Sequence, residues 1–261
     1  MLKRVLTFAT LVLLFAGINA CAKNEPTESQ ALDQSVISRI QSLGLNPDGA
    51  YAADGGYIVE GDIFLTDEDL NRVFDPLSLI IAEEEQYHTT NLVGSLPRTI
   101  TVSMSGNYNS NMSSALDVAI SRYNAENLQL TFSRVSSGGN INVKTVTGAS
   151  YIASAGFPSG GNPYPEIKFN RQYRNWQNST LATVFAHEIG HCIGFRHTDY
   201  MDRSYSCGGS PYNEGSAGVG AIHIPGTPTG PDAASWMLAC IGNGTNRPFN
   251  TNDKTALNYL Y

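Results

Sequence analysis

Three of the chain's five histidines fall within eleven residues, in the segment His187-Glu188-Ile189-Gly190-His191-Cys192-Ile193-Gly194-Phe195-Arg196-His197. On a helix, His187 and His191 are four residues apart and project from one face, so both imidazoles can reach a single metal ion. Gly194 can take a positive φ, which would end the helix and turn the chain so that His197 returns as a third nitrogen ligand. Three protein ligands with an open fourth position describe a catalytic rather than a structural site, and the expected cofactor is one Zn2+ ion. Glu188 adjoins the first ligand and can reach water on that metal. It would take the water's proton during attack on a peptide carbonyl and pass it to the leaving amine. From residue frequencies, the pattern of three histidines, glutamate and glycine arises on the order of once in 10⁵ such chains, which argues against a helix with merely solvated histidines. A structural zinc site would want a fourth protein ligand and would not need Glu188 beside the open position. His223 reads as a solvent-facing loop residue rather than a further ligand.

These residues need a helix to carry them, expected from Leu181 to about Phe195 with Asn178-Ser179-Thr180 as its cap. Upstream, Thr99 to Met104 reads as a strand. Ser113 to Asn127 reads as an amphipathic helix with Leu116, Ala119, Ile120 and Tyr123 at three- and four-residue steps. Strands follow at Leu128 to Val135, Ile141 to Val146 and Glu166 to Asn170, the last after a Gly/Ser/Pro-rich loop over 154–165. The Gly/Pro-rich connection over 200–231 is far longer than usual, the mark of a functional or disordered loop. A helix over Asn252 to Tyr261 closes the chain. Residues 31–95 look like a region of their own. Ser35 to Ile40 has helical spacing, Tyr57 to Leu65 alternates as a strand, and Thr66-Asp67-Glu68-Asp69-Leu70 starts a helix with acidic residues in its first turn. An apolar-acidic stretch, Leu77 to Glu85, follows, and Pro97 then punctuates the chain.

With 261 residues, 41% of them apolar, the chain can bury a sizeable core. A net charge of -7 without basic runs argues against nucleic acid as a partner. Residues 1–20 read as a signal peptide: Lys3 and Arg4, an apolar run from Val5 to Phe15 too short to span a bilayer, then Ile18-Asn19-Ala20 before Cys21. A cysteine there resembles a bacterial lipoprotein signal, with Cys21 lipidated, although an ordinary signal cleaved elsewhere would also fit. Residues 21–30 read as a polar tether. The expected location is the bacterial cell envelope, with the chain held to the membrane by its lipid at the outer membrane or cell surface, or secreted if the anchor is lost. Export permits disulfides. Of the remaining thiols, Cys192 lies in the helical run, where a free buried thiol is common, so Cys207 with Cys240 is the favoured pair; spacing alone does not decide it. A monomer acting on protein or peptide substrates is expected.

The histidine pattern resembles the metzincin clan of zinc peptidases, which add a Met-turn beneath the metal. Ser235-Trp236-Met237-Leu238 fits that turn, with Met237 as its methionine. A closer resemblance is to the dual-action HEIGH metallopeptidases, through His187-Glu188-Ile189-Gly190-His191 and His197-Thr198-Asp199. Val59-Glu60-Gly61-Asp62-Ile63, Gln86-Tyr87-His88-Thr89-Thr90-Asn91-Leu92-Val93 and Ile224-Pro225-Gly226-Thr227-Pro228 support it less specifically.

The resemblance implies an α+β, metzincin-like domain over 96–261. A twisted mixed sheet and the active-site helix would lie above the zinc, the Met-turn and C-terminal helix below, and a small pro- or accessory region would precede them. It implies that Ile167-Lys168-Phe169-Asn170 forms an edge strand pairing with extended substrate, with Ala153 to Gly156 at its approach. His223 to Pro228 would then shape the pocket for the residue after the cut. Ala239 stands where astacin-like relatives carry a tyrosine, so that tyrosine is absent. Glu60-Gly61-Asp62 is similar to the astacin pro-segment motif that sets an aspartate on the zinc, which would make Asp62 a blocking residue; it also reads as a plain turn. Two further readings stay open, a surface-anchored binding lipoprotein with an idle zinc site and a zinc hydrolase of non-peptide substrates.

Overall fold

The computed structural model describes residues 32–71, 86–215, 220–228 and 230–261, which fall in one compact unit. The signal, Cys21, the tether and the stretch over Leu77 to Glu85 lie outside the described residues. Among those described, no helix is long and apolar enough to cross a membrane.

The chain begins with helix α1 (Gln34–Ser42), whose first turn is closed by Asp33 accepting from the Ser35 N–H. Strands β1 (Tyr51–Ala53), β2 (Gly56–Val59) and β3 (Ile63–Leu65) form an antiparallel sheet. The alternation over Tyr57 to Leu65, expected as one strand, is broken by a turn over 60–62 into the hairpin β2–β3. Glu60 takes a positive φ of 53° there, which a continuous strand cannot accommodate. Helix α2 (Asp67–Leu70) starts on the Thr66–Asp69 capping box. Leu43, Val59 and Leu65 join Ile40 in a small core beneath these elements.

A two-residue strand, β4 (Tyr87–His88), leads into β5 (Arg98–Ser105), the backbone of the main sheet. Ile100, Val102 and Met104 alternate inward from β5. Helix α3 (Ser110–Asn124), capped by Asn109, crosses over to β6 (Leu130–Arg134), and β7 (Ile141–Val146), β8 (Ala153–Ser154) and β9 (Glu166–Asn170) complete the sheet. The strand order is β6-β5-β7-β9-β8, with β8 antiparallel and the rest parallel. This is the mixed sheet of the expected α+β domain. Buried Met112, Leu116, Ala119, Ile120 and Tyr123 show that α3 lays its helical-period face on the core.

After a 3-10 turn at Arg171–Tyr173 comes helix α4 (Asn178–Ile193), buried throughout from Thr180 onward. It starts earlier than expected. Asn178 lies inside the helix, Gln177 is the cap residue without a side-chain bond, and the Asn178 amide instead reaches Asn111. A short helix α5 (Ser204–Cys207), strand β10 (Ile222–His223) paired with β4, and helix α6 (Thr251–Leu260) make up the remainder. Trp236, Phe195 and Phe249 stack edge-on beneath α4 as an aromatic floor, joined by Tyr123 from α3.

Candidate metal centre and active-site cleft

Helix α4 ends at Gly194, whose φ of 112° is the left-handed turn read from the sequence. A Cβ there would also sit 2.9 Å from the Asn91 carbonyl oxygen, so glycine is required twice over. The Gly194 carbonyl then accepts from the Thr89 N–H (2.8 Å), and the Arg196 N–H donates to the Tyr87 carbonyl (2.9 Å). Residues 87–89 therefore clamp the turn and deliver His197 to the helix face that carries His187 and His191. The ring centroids of the three histidines lie 4.6, 4.9 and 5.2 Å apart.

Each Nδ1 has an acceptor. His187 Nδ1 donates to the Trp236 carbonyl, His191 Nδ1 to the Phe195 carbonyl and His197 Nδ1 to Glu214 Oε1, each at 2.9 Å. Carbonyls only accept, so the proton on His187 and His191 belongs on Nδ1 and the Nε2 lone pair is left free. All three Nε2 atoms turn toward one point, where they lie with a carboxylate oxygen of Asp62 within 4.8 Å of one another. His187 Nε2 is buried without a hydrogen-bond partner, as are Asp62 Oδ1 and Glu188 Oε2. Converging lone pairs beside two carboxylates repel one another, and a divalent cation reverses that. The donor set fits a metal.

Asp62 Oδ2 stands 3.2 Å from His197 Nε2 and 3.5 Å from His187 Nε2. The turn between β2 and β3 is thus also the tip that carries Asp62 to the histidines. Burial opposes charge on Asp62, but the histidines, led by His197, hold its carboxyl well below the usual range. Burial, then the like charge of Asp62, pushes Glu188 well above its ordinary value. Burial and then its two neighbouring imidazoles hold His191 well below the usual histidine range, which keeps it neutral. Burial opposes charge on His197 too, but Asp62 and Glu214 outweigh it and raise that imidazole.

Met237 lies under the helix. A Cβ on Gly190 would come within 2.6 Å of its sulfur, so the glycine lets the methionine approach the backbone between the two helical histidines. The Met237 carbonyl accepts from the Thr198 N–H (3.0 Å), tying this floor to the residue after His197. Cys207 and Cys240 form a disulfide, while Cys192 is free and buried in α4. Ala239 donates its N–H to Asp199 and presents no hydroxyl to the site.

Two expectations change. Ile167, Lys168, Phe169 and Asn170 belong to β9, which is hydrogen-bonded to β7 on one side and β8 on the other, so they are interior to the sheet. The edge is β8. The residue just beyond it, Ala155, is bonded to the N-terminal segment: the Phe64 N–H donates to the Ala155 carbonyl (2.9 Å) and the Ala155 N–H to the Asp62 carbonyl (3.1 Å). The cavity beside Glu188, about 260 Å³, takes its walls from residues 150–153, α4 and residues 236–241, with Arg247, not from His223 to Pro228. His223 instead sits in β10, with its Nε2 3.0 Å from the Thr227 hydroxyl.

Sequence reading missed the charges behind His197. Arg203 Nε lies 3.0 Å from Glu214 Oε1, and Arg196 lies 2.9 Å from Glu60 and 3.6 Å from Glu214. The side chains of Glu60, Glu214 and Arg196 are almost wholly buried. A faint signal existed: Glu214 is the one charged residue between Arg203 and Asp232, in an otherwise polar and Gly/Pro-rich loop.

A family model described as dual-action HEIGH metallo-peptidase matches residues 57–261. No curated protein matches the chain. Among solved structures, one of myroilysin is 18% identical with a TM-score of 0.46, covering 66% of this chain and 96% of that one. A crystal structure of myroilysin is 16% identical with a TM-score of 0.41, covering 74% and 95%.

Proposed function

Because the chain belongs to the dual-action HEIGH metallo-peptidase family and is therefore a metallopeptidase, we propose that it is a zinc-dependent endopeptidase with Glu188 as its general base. The observation that carries this reading is the convergence of three imidazoles with committed Nδ1 atoms on one point beside an unpartnered buried carboxylate. His187, His191 and His197 would hold the ion through Nε2. Zinc in such a site supplies Lewis-acid polarisation of a carbonyl and makes water acidic near neutral pH. Glu188 Oε2 accepts the attacking water's proton and returns it to the departing amine. Its burial favours the protonated form, so the carboxylate is a strong base when ionised. Met237 and Trp236 support the ligands from below, and the sheet edge beside β8 offers backbone groups to an extended peptide with little demand on its side chains.

In the conformation described, the N-terminal segment takes both positions a substrate would need. Asp62 faces the histidines, and residues 62–64 bond to Ala155 at the sheet edge. We read Asp62 as a plug that keeps the enzyme latent. The leader and a lipidated Cys21 would put this chemistry on exported proteins at the envelope; mass spectrometry finding an unmodified Cys21 in the mature protein would end that part.

The test is hydrolysis of fluorogenic peptides by the zinc-loaded full chain, Asp62→Ala and Glu188→Ala. Asp62→Ala should raise the rate. Glu188→Ala, added to Asp62→Ala, should lower that rate by a factor of about 10² to 10⁴ while the protein keeps its zinc. A zinc-loaded Asp62→Ala chain that hydrolyses esters or glycans but no peptide would overturn the reading, and unchanged activity on Asp62→Ala would remove the plug.

A further inference from the structure

The cavity beside Glu188 has apolar walls from Ile152, Val184, Leu238 and Ile241, and two arginines, Arg203 and Arg247, also line it. Arg203 is paired, with its Nε at ion-pair distance from Glu214 (3.0 Å) and NH1 on the Glu60 carbonyl. Arg247 is different. NH1 donates to the Cys240 carbonyl at 3.0 Å, and among the described residues no carboxylate lies within ion-pair distance of it. Asp199 acts on it through space, but the Asp199 oxygens already accept from the Ala239 N–H (3.0 Å) and the Ser206 hydroxyl (2.5 Å). Most of the five N–H donors of Arg247 are therefore uncommitted, on a half-buried cation in an apolar pocket.

The residue is also held in place. Its N–H donates to the Thr183 hydroxyl (3.0 Å) on α4, one turn before His187, and its carbonyl accepts from Arg122 (3.2 Å). The Cys207–Cys240 disulfide fixes the loop whose carbonyl it bonds. A preorganised guanidinium at the wall of a mostly apolar pocket recognises a carboxylate carried on a short aliphatic stem. Asp62, the other carboxylate at the pocket's edge besides Glu188, is turned to the histidines instead.

We infer that this pocket selects substrates with aspartate or glutamate beside the scissile bond, and that Arg247 is the specificity-determining residue. The inference rests on the peptidase reading, since the pocket opens next to Glu188. It is tested with paired peptides carrying Glu or Gln at each position flanking the cut, using zinc-loaded Asp62→Ala. At one position kcat/KM should favour Glu by about tenfold, the usual worth of a charged hydrogen bond. The ratio should fall toward one when Arg247→Gln is added, and Arg247→Glu should favour lysine peptides. A ratio of one in the parent, or one that Arg247→Gln leaves unchanged, overturns the assignment. Binding of the same pairs to the Asp62→Ala, Glu188→Ala double variant reads the pocket without turnover. Tighter binding of the Glu peptide that disappears with Arg247→Gln supports the inference even if no peptide is cut, an outcome that would count against the peptidase reading alone; equal binding overturns it.

Discussion

The three histidines could serve as ligands only because something fixes their tautomers. Trp236 and Phe195 do so with backbone carbonyls, and Glu214 does so for His197 with a charge. The convergence of the three histidines, with Glu188 beside them, was legible in the sequence because helical spacing is local information. Glu214 was not, because it comes from a loop that only the fold brings behind His197. Removing it should leave His197 free to rotate and leave Arg203 without its carboxylate. Glu214→Ala is predicted to weaken zinc binding about 10- to 100-fold, read by competition with a chromophoric chelator, and Glu214→Gln to weaken it less. Unaltered zinc affinity in Glu214→Ala would show that His197 is oriented by packing alone.

At the scale of elements, β5, β7 and β9 were read to within a residue of their ends and α3 to within three, since alternation in β5 and β7 and the three-four spacing of α3 follow directly from burying one face. Two features escaped. The break between β2 and β3 depends on a positive φ at Glu60, a residue type that does not advertise it. The interior place of β9 depends on β8, a pair of residues too short to give a periodic signal. Helix α6 carries a further device. Asp253 completes a capping box with Asn250 and accepts from the Gln86 amide at 2.7 Å, tying the last helix to the segment before β4. Burial pushes its carboxyl up to about 7, despite hydrogen bonds that pull the other way. The folded protein therefore keeps this proton at pH values where the unfolded chain has lost it. The resulting stability is complete below about pH 4 and disappears as pH rises to about 7, a linkage of about 4 kcal/mol. Melting temperatures across that window should fall less steeply in Asp253→Asn than in the parent. Parallel curves would mean that Asp253 is ionised in the folded state.

Over the whole molecule, besides its backbone bonds to Ala155, the N-terminal hairpin is held through two carboxylates that differ in chemistry. Asp62 meets the histidines, and Glu60 meets Arg196 at 2.9 Å in a buried ion pair. Leaving one member of such a pair without its partner costs about 3–5 kcal/mol, so Glu60→Ala should lower the unfolding free energy by that order in urea titrations. A loss near zero would show that Arg196 re-pairs with Glu214, 3.6 Å away. The sequence hinted at Asp62 through the Glu60-Gly61-Asp62 motif but not at the pairing of Glu60 with Arg196, because a buried glutamate looks like any surface one until its arginine is placed.

Zinc-dependent peptide hydrolysis is tested most directly by one measurement: incubating zinc-loaded Asp62→Ala protein with a mixed peptide library, with and without chelator, and reading the products by mass spectrometry. Cleavage that vanishes with chelator, returns with added zinc and is absent in the Asp62→Ala, Glu188→Ala double variant is the predicted result. Protein that holds one zinc per chain and cuts no peptide would contradict it.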